Sequence, residues 1–197
     1  MDLTVASNNP GKLKEYREIL ERRGFRVFSQ DEKGVEIEVE ETGSTFDENA
    51  YLKAEAVHRR VGSWVLSDDS GLEVTALGGA PGIYSARYLG LKTEHDRRQA
   101  ILSALGDAAD RSARFVCCIC LIDPDGEPHL FKGIWQGAIA EKEEGTNGFG
   151  YDPIFISEDS GGKTTASLPI AFKETFSHRA KAVRQMTRWL EENMGIV

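Results

Sequence analysis

Trp64-Val65-Leu66-Ser67-Asp68-Asp69-Ser70-Gly71 reads as an apolar strand that runs into two adjacent carboxylates and then a turn. In an α/β protein, reactive side chains are usually presented where a strand gives way to a loop. Side chains alternate along a strand, so Asp68 and Asp69 point to opposite sides and only one faces a given opening. One of the pair is then a candidate catalytic group and the other a structural one. An Asx turn, in which either aspartate caps the loop backbone, fits the same residues. The segments around the pair carry the choice.

Upstream, residues 3–6 form an apolar first strand, and Asn9-Pro10 has the N-cap and first-turn chemistry of a helix that ends at Gly24. Leu13, Tyr16 and Leu20 mark its buried stripe. Val35, Ile37 and Val39 alternate with Glu36, Glu38 and Glu40, the period of a strand with one acidic face. Thr45 with Glu48 predicts a capping box for a helix that buries Ala50, Ala54, Val57 and Val61, with Phe46, Asn49 and Lys53 on a neighbouring face.

Downstream, Gly78, Gly79, Pro81 and Gly82 punctuate a loop too long for a simple turn, which marks it as a candidate functional loop. A helix over 93–105 follows. Strands over 114–122 and 128–135 flank Asp123-Pro124-Asp125-Gly126, a hairpin signal. A strand over 154–156 and a helix from Ser177 to about Asn193, burying Val183, Met186 and Leu190, complete the chain. Strands alternate with helices early and pair as a hairpin late, so the fold class is α/β with a mixed sheet.

The chain of 197 residues is 40% hydrophobic and 28% charged, enough for one globular unit with a real core. Its net charge of -8 offers no general attraction to a nucleic acid polymer. A few cations can still make a local anion site in an acidic protein. The start lacks a basic region and a long apolar run, so neither a signal peptide nor a membrane span is expected, and the reading is cytoplasmic. Cys117, Cys118 and Cys120 crowd into one strand, off any zinc or redox spacing, and read as reduced core residues.

Four segments beside the aspartates carry chemistry. Ser7, Asn8, Asn9, Pro10, Gly11 and Lys12 make a strand-to-helix loop with hydroxyl, amide, backbone N–H and ammonium donors, suited to phosphate oxygens but not a Walker A loop. Ser177-His178-Arg179 puts potential cations in the first turn of a helix, against the macrodipole, unless an anion or carbonyl docks there. Phe149, Gly150, Tyr151 and Asp152 combine two rings, flexible backbone and a carboxylate, as a base pocket would. The acidic face of 36–40 is either solvated or relieved by a divalent cation, with Glu40 the nearest to the following loop.

Together with Glu40 to Gly43, Asn49, Ala50 and Gly78 to Tyr88, these segments resemble the inosine triphosphate pyrophosphatase family from the first strand to the last helix, in order. The resemblance implies an elongated mixed β-sheet flanked by helices, two lobes around a central active-site cleft, one domain over 1–197 and a homodimer. It also implies a Mg2+-dependent enzyme that hydrolyses deaminated purine nucleoside triphosphates (ITP, dITP, XTP) to the monophosphate and pyrophosphate. Carried onto this sequence, Asp69 would be general base and metal ligand, with Glu40 a second ligand. Ser7 to Lys12, Lys53, Ser70 and Lys173 would hold the triphosphate; Phe149 and Tyr151 would flank the base, with Asp152, His178 and Arg179 at its polar edge. The chain departs from many relatives at Ser7-Asn8-Asn9 and at Glu174. A donor from Arg179 or a backbone N–H would match a 6-oxygen and oppose a 6-amino group. Two rivals stand beside this reading: a septum-inhibitor-like pyrophosphatase acting on pyrimidine or modified nucleotides, and a nucleotide sensor that binds without cleaving.

Overall fold

The computed structural model describes residues 1–195. Six strands, β1 (Asp2–Val5), β2 (Arg26–Ser29), β3 (Val65–Val74), β4 (Ser112–Ile122), β5 (Pro128–Ile139) and β6 (Phe155–Ser157), form one sheet in the order β2-β1-β3-β4-β5-β6. Its helices are α1 (Pro10–Leu20), α2 (Phe46–Val61), α3 (Glu94–Leu105), α4 (Ile170–Phe176) and α5 (His178–Met194). The β1 strand pairs in parallel with β2 and β3, and β5 pairs antiparallel with β6, so the sheet is mixed.

The chain divides into two compact units. The first comprises Met1–Asp69, Cys117–Gly133 and the stretch from Arg179; the second comprises Ser70–Val116 and Ile134–His178. Strands β3, β4 and β5 contribute residues to both.

In the first unit, strand alternation sorts side chains into two layers. Leu3, Val5, Leu66, Ile119 and Leu121 join Tyr16, Leu20, Val183, Met186 and Leu190 of α1 and α5. Ala6, Val65, Cys120 and Ile122 join Ala50, Ala54 and Val57 of α2 on the other face. Each fully buried aliphatic side chain contributes roughly 1.5–3 kcal/mol. A cation in a first helical turn costs only about 0.3–1 kcal/mol. Val183, Met186 and Leu190 therefore hold α5 whatever its first turn costs. All three cysteines are buried and free, and burial, with the Asp68 charge beside it, pushes the Cys117 thiol up to about 12. The second unit packs Leu72, Val74, Ile101, Phe115, Trp135, Tyr151, Ile154 and Phe155 around its own core.

The structure departs from these expectations in several places. Asp68 and Asp69 do not end their strand: β3 continues through Gly71 to Val74, because Leu72 and Val74 bury in the second core and extend the ladder. Residues 35–40 keep the expected alternation of burial yet join no sheet. The Ile37 carbonyl is taken instead by side-chain amides, Gln30 Nε2 at 2.8 Å and Asn8 Nδ2 at 3.4 Å. The strands beside β1 are β3 and the four-residue β2. The capping box forms and extends one residue further: Thr45 accepts from the Glu48 N–H, and the Glu48 carboxylate accepts from the backbone N–H of Thr45 and from the backbone N–H and hydroxyl of Ser44. The seven-residue α4, too short for a periodicity signal, was not anticipated. Among the described residues no helix is long and apolar enough to cross a membrane.

Candidate active site

Asp69 lies on β3, only 4% exposed. Two side chains of α2, one turn apart, reach it. Asn49 Nδ2 donates to Asp69 Oδ2 at 3.2 Å, and Lys53 Nζ stands 3.7 Å from Oδ1. The Asn49 amide is oriented from its other end, where Oδ1 accepts the Gly43 N–H at 2.8 Å. A Cβ on Gly43 would come within 2.7 Å of that oxygen, so this close approach requires glycine. Lys53 also binds Glu41 Oε1 at 2.6 Å. Burial raises the Asp69 carboxyl above its ordinary range and Glu41 adds to the rise; Lys53 and Lys12 oppose it without cancelling it. Burial would lower Lys53, but Asp69, Asp68 and Glu41 together raise it and keep it charged.

Asp68 faces the other way, as alternation requires. Its Oδ2 lies 3.1 Å from Lys12 Nζ, 3.2 Å from Arg179 Nη2 and 3.7 Å from the Cys117 sulfur. Arg179, 1% exposed, also pairs with Glu15 and lies over the Tyr16 ring. Burial would push the Asp68 carboxyl up, yet Lys12 and Arg179, with Lys53 farther off, hold it far below the usual carboxylate range. Asp68 is thus a permanent counter-ion. Arg179, for which the resemblance implies a place at the base edge, pairs with two carboxylates of this unit.

The loop of Ser7 to Lys12 is braced by its own side chains. Asn9 Oδ1 accepts from the Gly11 and Lys12 N–H groups at 2.9 and 3.1 Å, and Ser7 Oγ accepts from the Asn9 N–H at 3.2 Å. Pro10 has no N–H to offer. The cation of this loop is Lys12, held 13% exposed against Asp68.

Ser70, Phe149, Gly150, Tyr151, Asp152, Lys173 and His178 lie in the second unit. Asp152 Oδ2 accepts from Lys173 Nζ at 2.7 Å and from the Phe149 N–H at 3.0 Å, and Oδ1 accepts from Thr165 Oγ1 at 3.0 Å. The carboxylate ties its own loop to Lys173. Lys173 Nζ lies 4.7 Å from the centroid of the half-buried Phe149 ring. Tyr151 is buried, and its hydroxyl donates to the Ser85 carbonyl at 2.7 Å, so its ring belongs to the core and only Phe149 of the pair offers a face. His178 stacks on Phe115 with centroids 4.7 Å apart and planes 11° from parallel. Ser70, half-buried, follows Asp69 on β3.

Glu40, the expected second ligand, is exposed. Its neighbour Glu41 turns inward to Lys53, because residues 40–42 form a tight turn, with the Thr42 N–H bonded to the Glu40 carbonyl, instead of an alternating strand. Nothing in the alternation pattern could have singled out Glu41. Asn49 was legible, since it shares a helix face with Lys53 at i, i+4. Among the described residues no three metal-ligating side chains converge. Lys53 links the Asp69 and Glu41 carboxylates, oxygen donors of the kind a hard divalent cation takes.

The comparisons with known proteins bear on the same stretch of chain. A model of the Ham1 family matches residues 3–189. A dITP/XTP pyrophosphatase of Bacillus subtilis (strain 168) is 47% identical over 190 residues, 95% of this chain and 96% of that protein. The solved structure of the Staphylococcus aureus Ham1 protein superposes with a TM-score of 0.86 at 44% identity, covering 98% of this chain and 99% of that one. A HAM1 protein from Coxiella burnetii gives a TM-score of 0.87 at 42% identity, over 98% of this chain and 99% of that one.

Proposed function

The chain belongs to the Ham1 family, and from that premise we propose that it is a nucleoside-triphosphate diphosphatase acting on deaminated purine nucleotides. Relatives at this level of identity carry the name dITP/XTP pyrophosphatase. The observation that carries the reading is the setting of Asp69: a buried carboxylate, raised toward neutrality and flanked by Lys53. A proton acceptor works best with a pKa moved toward the working pH.

Asp69 takes the proton of a water that attacks the α-phosphorus. Asn49 fixes its orientation through Oδ2, and Oδ1 faces the Lys53 ammonium. The donor set of two carboxylates, Asp69 and Glu41, fits Mg2+, which prefers oxygen ligands and usually binds through one or two carboxylates plus substrate phosphate. When bound there, the ion would neutralise charge on the phosphate oxygens. Lys53 and Lys12 supply fixed positive charge for the leaving pyrophosphate. Asp68 orients Lys12 rather than binding metal, since its carboxylate is already matched by two cations.

For the base, Phe149 offers a stacking face and Lys173 a cation above it. The Arg179 guanidinium, expected at the polar edge of the base, also pairs with Glu15 and Asp68. The test is a panel of dITP, XTP, ITP, GTP, ATP and dUTP with Mg2+, reading pyrophosphate and orthophosphate separately. Pyrophosphate from dITP, XTP and ITP supports the proposal. Orthophosphate release, a pyrimidine preference, or binding without turnover overturns it.

A further inference from the structure

Gly150 sits between Phe149 and Tyr151, with φ of +62°, a conformation that glycine adopts freely. A loop of this kind (Gly148, Gly150) is conformationally costly to order and needs outside contacts to fix it. They come from α3. Glu94 Oε2 accepts the Gly150 N–H at 2.9 Å, and Arg98 Nη1 donates to the Gly150 carbonyl at 2.7 Å. Residues i and i+4 of a helix share a face, so one helix grips both backbone groups of one glycine. Arg98 is itself braced: its Nη2 lies 3.0 Å from Glu143 Oε2, and its side chain is 12% exposed. Neither Glu94 nor Arg98 was marked by any sequence signal, and neither touches the groups assigned to the chemistry.

We propose that Glu94 and Arg98 are positioning residues that set substrate affinity and base preference by clamping Gly150, and with it the Phe149 ring. The inference rests on the reading that Phe149 stacks on the purine. Hydrogen bonds to charged groups are the stronger class, and losing one of this kind corresponds to about a tenfold effect. Because the clamp acts on where the base rests and not on the water or the phosphorus, its loss appears in KM and leaves kcat nearly unchanged.

The test compares Arg98→Ala, Glu94→Ala and Glu94→Gln with Arg111→Ala and Phe149→Ala, measuring kcat and KM for dITP and Tm on the whole protein. Arg111 is the stability control: it donates to the Gly106, Ile139 and Ala140 carbonyls of the same unit and makes none of the bonds to the 148–152 loop. Arg98→Ala and Glu94→Ala should raise KM about tenfold. Glu94→Gln, which keeps an acceptor oxygen for the Gly150 N–H, should stay near wild type, and Arg111→Ala should lower Tm without moving KM. A KM unchanged in the two clamp variants while Phe149→Ala raises it would overturn the clamp alone; Phe149→Ala without effect would overturn the stacking reading. Amide exchange at Gly150 needs no nucleotide: faster exchange in Glu94→Ala and Arg98→Ala but not Arg111→Ala supports the clamp, and equal exchange in all of them refutes it.

Discussion

Asp68 and Asp69 are neighbours in sequence and opposites in chemistry, because β3 turns one toward Lys12 and Arg179 and the other toward Asn49 and Lys53. Asp69→Asn is expected to lower kcat about 10²- to 10⁴-fold with little change in Tm, since the carboxamide keeps the volume and loses the proton acceptor. Asp68→Asn is expected to lower Tm as well as kcat, by leaving Lys12 and Arg179 without their shared counter-ion. Removing one partner of a buried ion pair costs about 3–5 kcal/mol. The sign of its pH dependence follows from the depressed pKa of Asp68. Stability from that carboxylate is fully present above the unfolded-state value of about 3.9 and is lost as pH falls through the lower folded value. The deficit of Asp68→Asn against wild type, read by denaturant titration, should therefore be largest at neutral pH and narrow below about pH 4; a deficit constant with pH would contradict it. The sequence made both aspartates legible through alternation. It did not reveal that Arg179 is paired with Glu15 and Asp68, because a long-range ion pair leaves no local pattern.

Among elements, those with local signals were legible: α1 with Asn9-Pro10, α2 with Thr45, and the turn at 123–126, where the Gly126 N–H bonds to the Asp123 carbonyl. What failed was the inference from alternation to sheet membership at 35–40, since period-two burial requires only an extended chain over a core, not a paired neighbour. Thr45→Ala should cost about 1 kcal/mol by removing the cap of α2, seen as a lower Tm. The loop of 148–152 depends on a glycine more sharply. A Cβ at Gly148 would fall 2.0 Å from Asp152 Oδ2, and its φ is +75°. Gly148→Ala is expected to displace Asp152 from the Phe149 N–H and Lys173, raising KM for dITP with a smaller effect on kcat; an unchanged KM would show that the loop does not hold the base.

At the scale of the molecule, the sheet order brings β3 to the middle, between β1 and β4, and so puts both aspartates on an interior strand where burial can shift their titration. A mixed α/β sheet was readable from the alternation of elements; the continuation of β3, β4 and β5 through both compact units was not, since nothing local marks where a long strand passes from one core to another. With Asp69 and Glu41 as the proposed ligands, removal of divalent ions by EDTA should stop turnover, and Mg2+ should restore it. The central claim is that Asp69 directs water to the α-phosphorus. Turnover of dITP in water labelled with a heavy oxygen isotope tests it most directly, with the products separated and weighed by mass spectrometry. The account predicts one labelled oxygen in the nucleoside monophosphate and none in the pyrophosphate. Label in pyrophosphate or orthophosphate would place the attack at another phosphorus and contradict it.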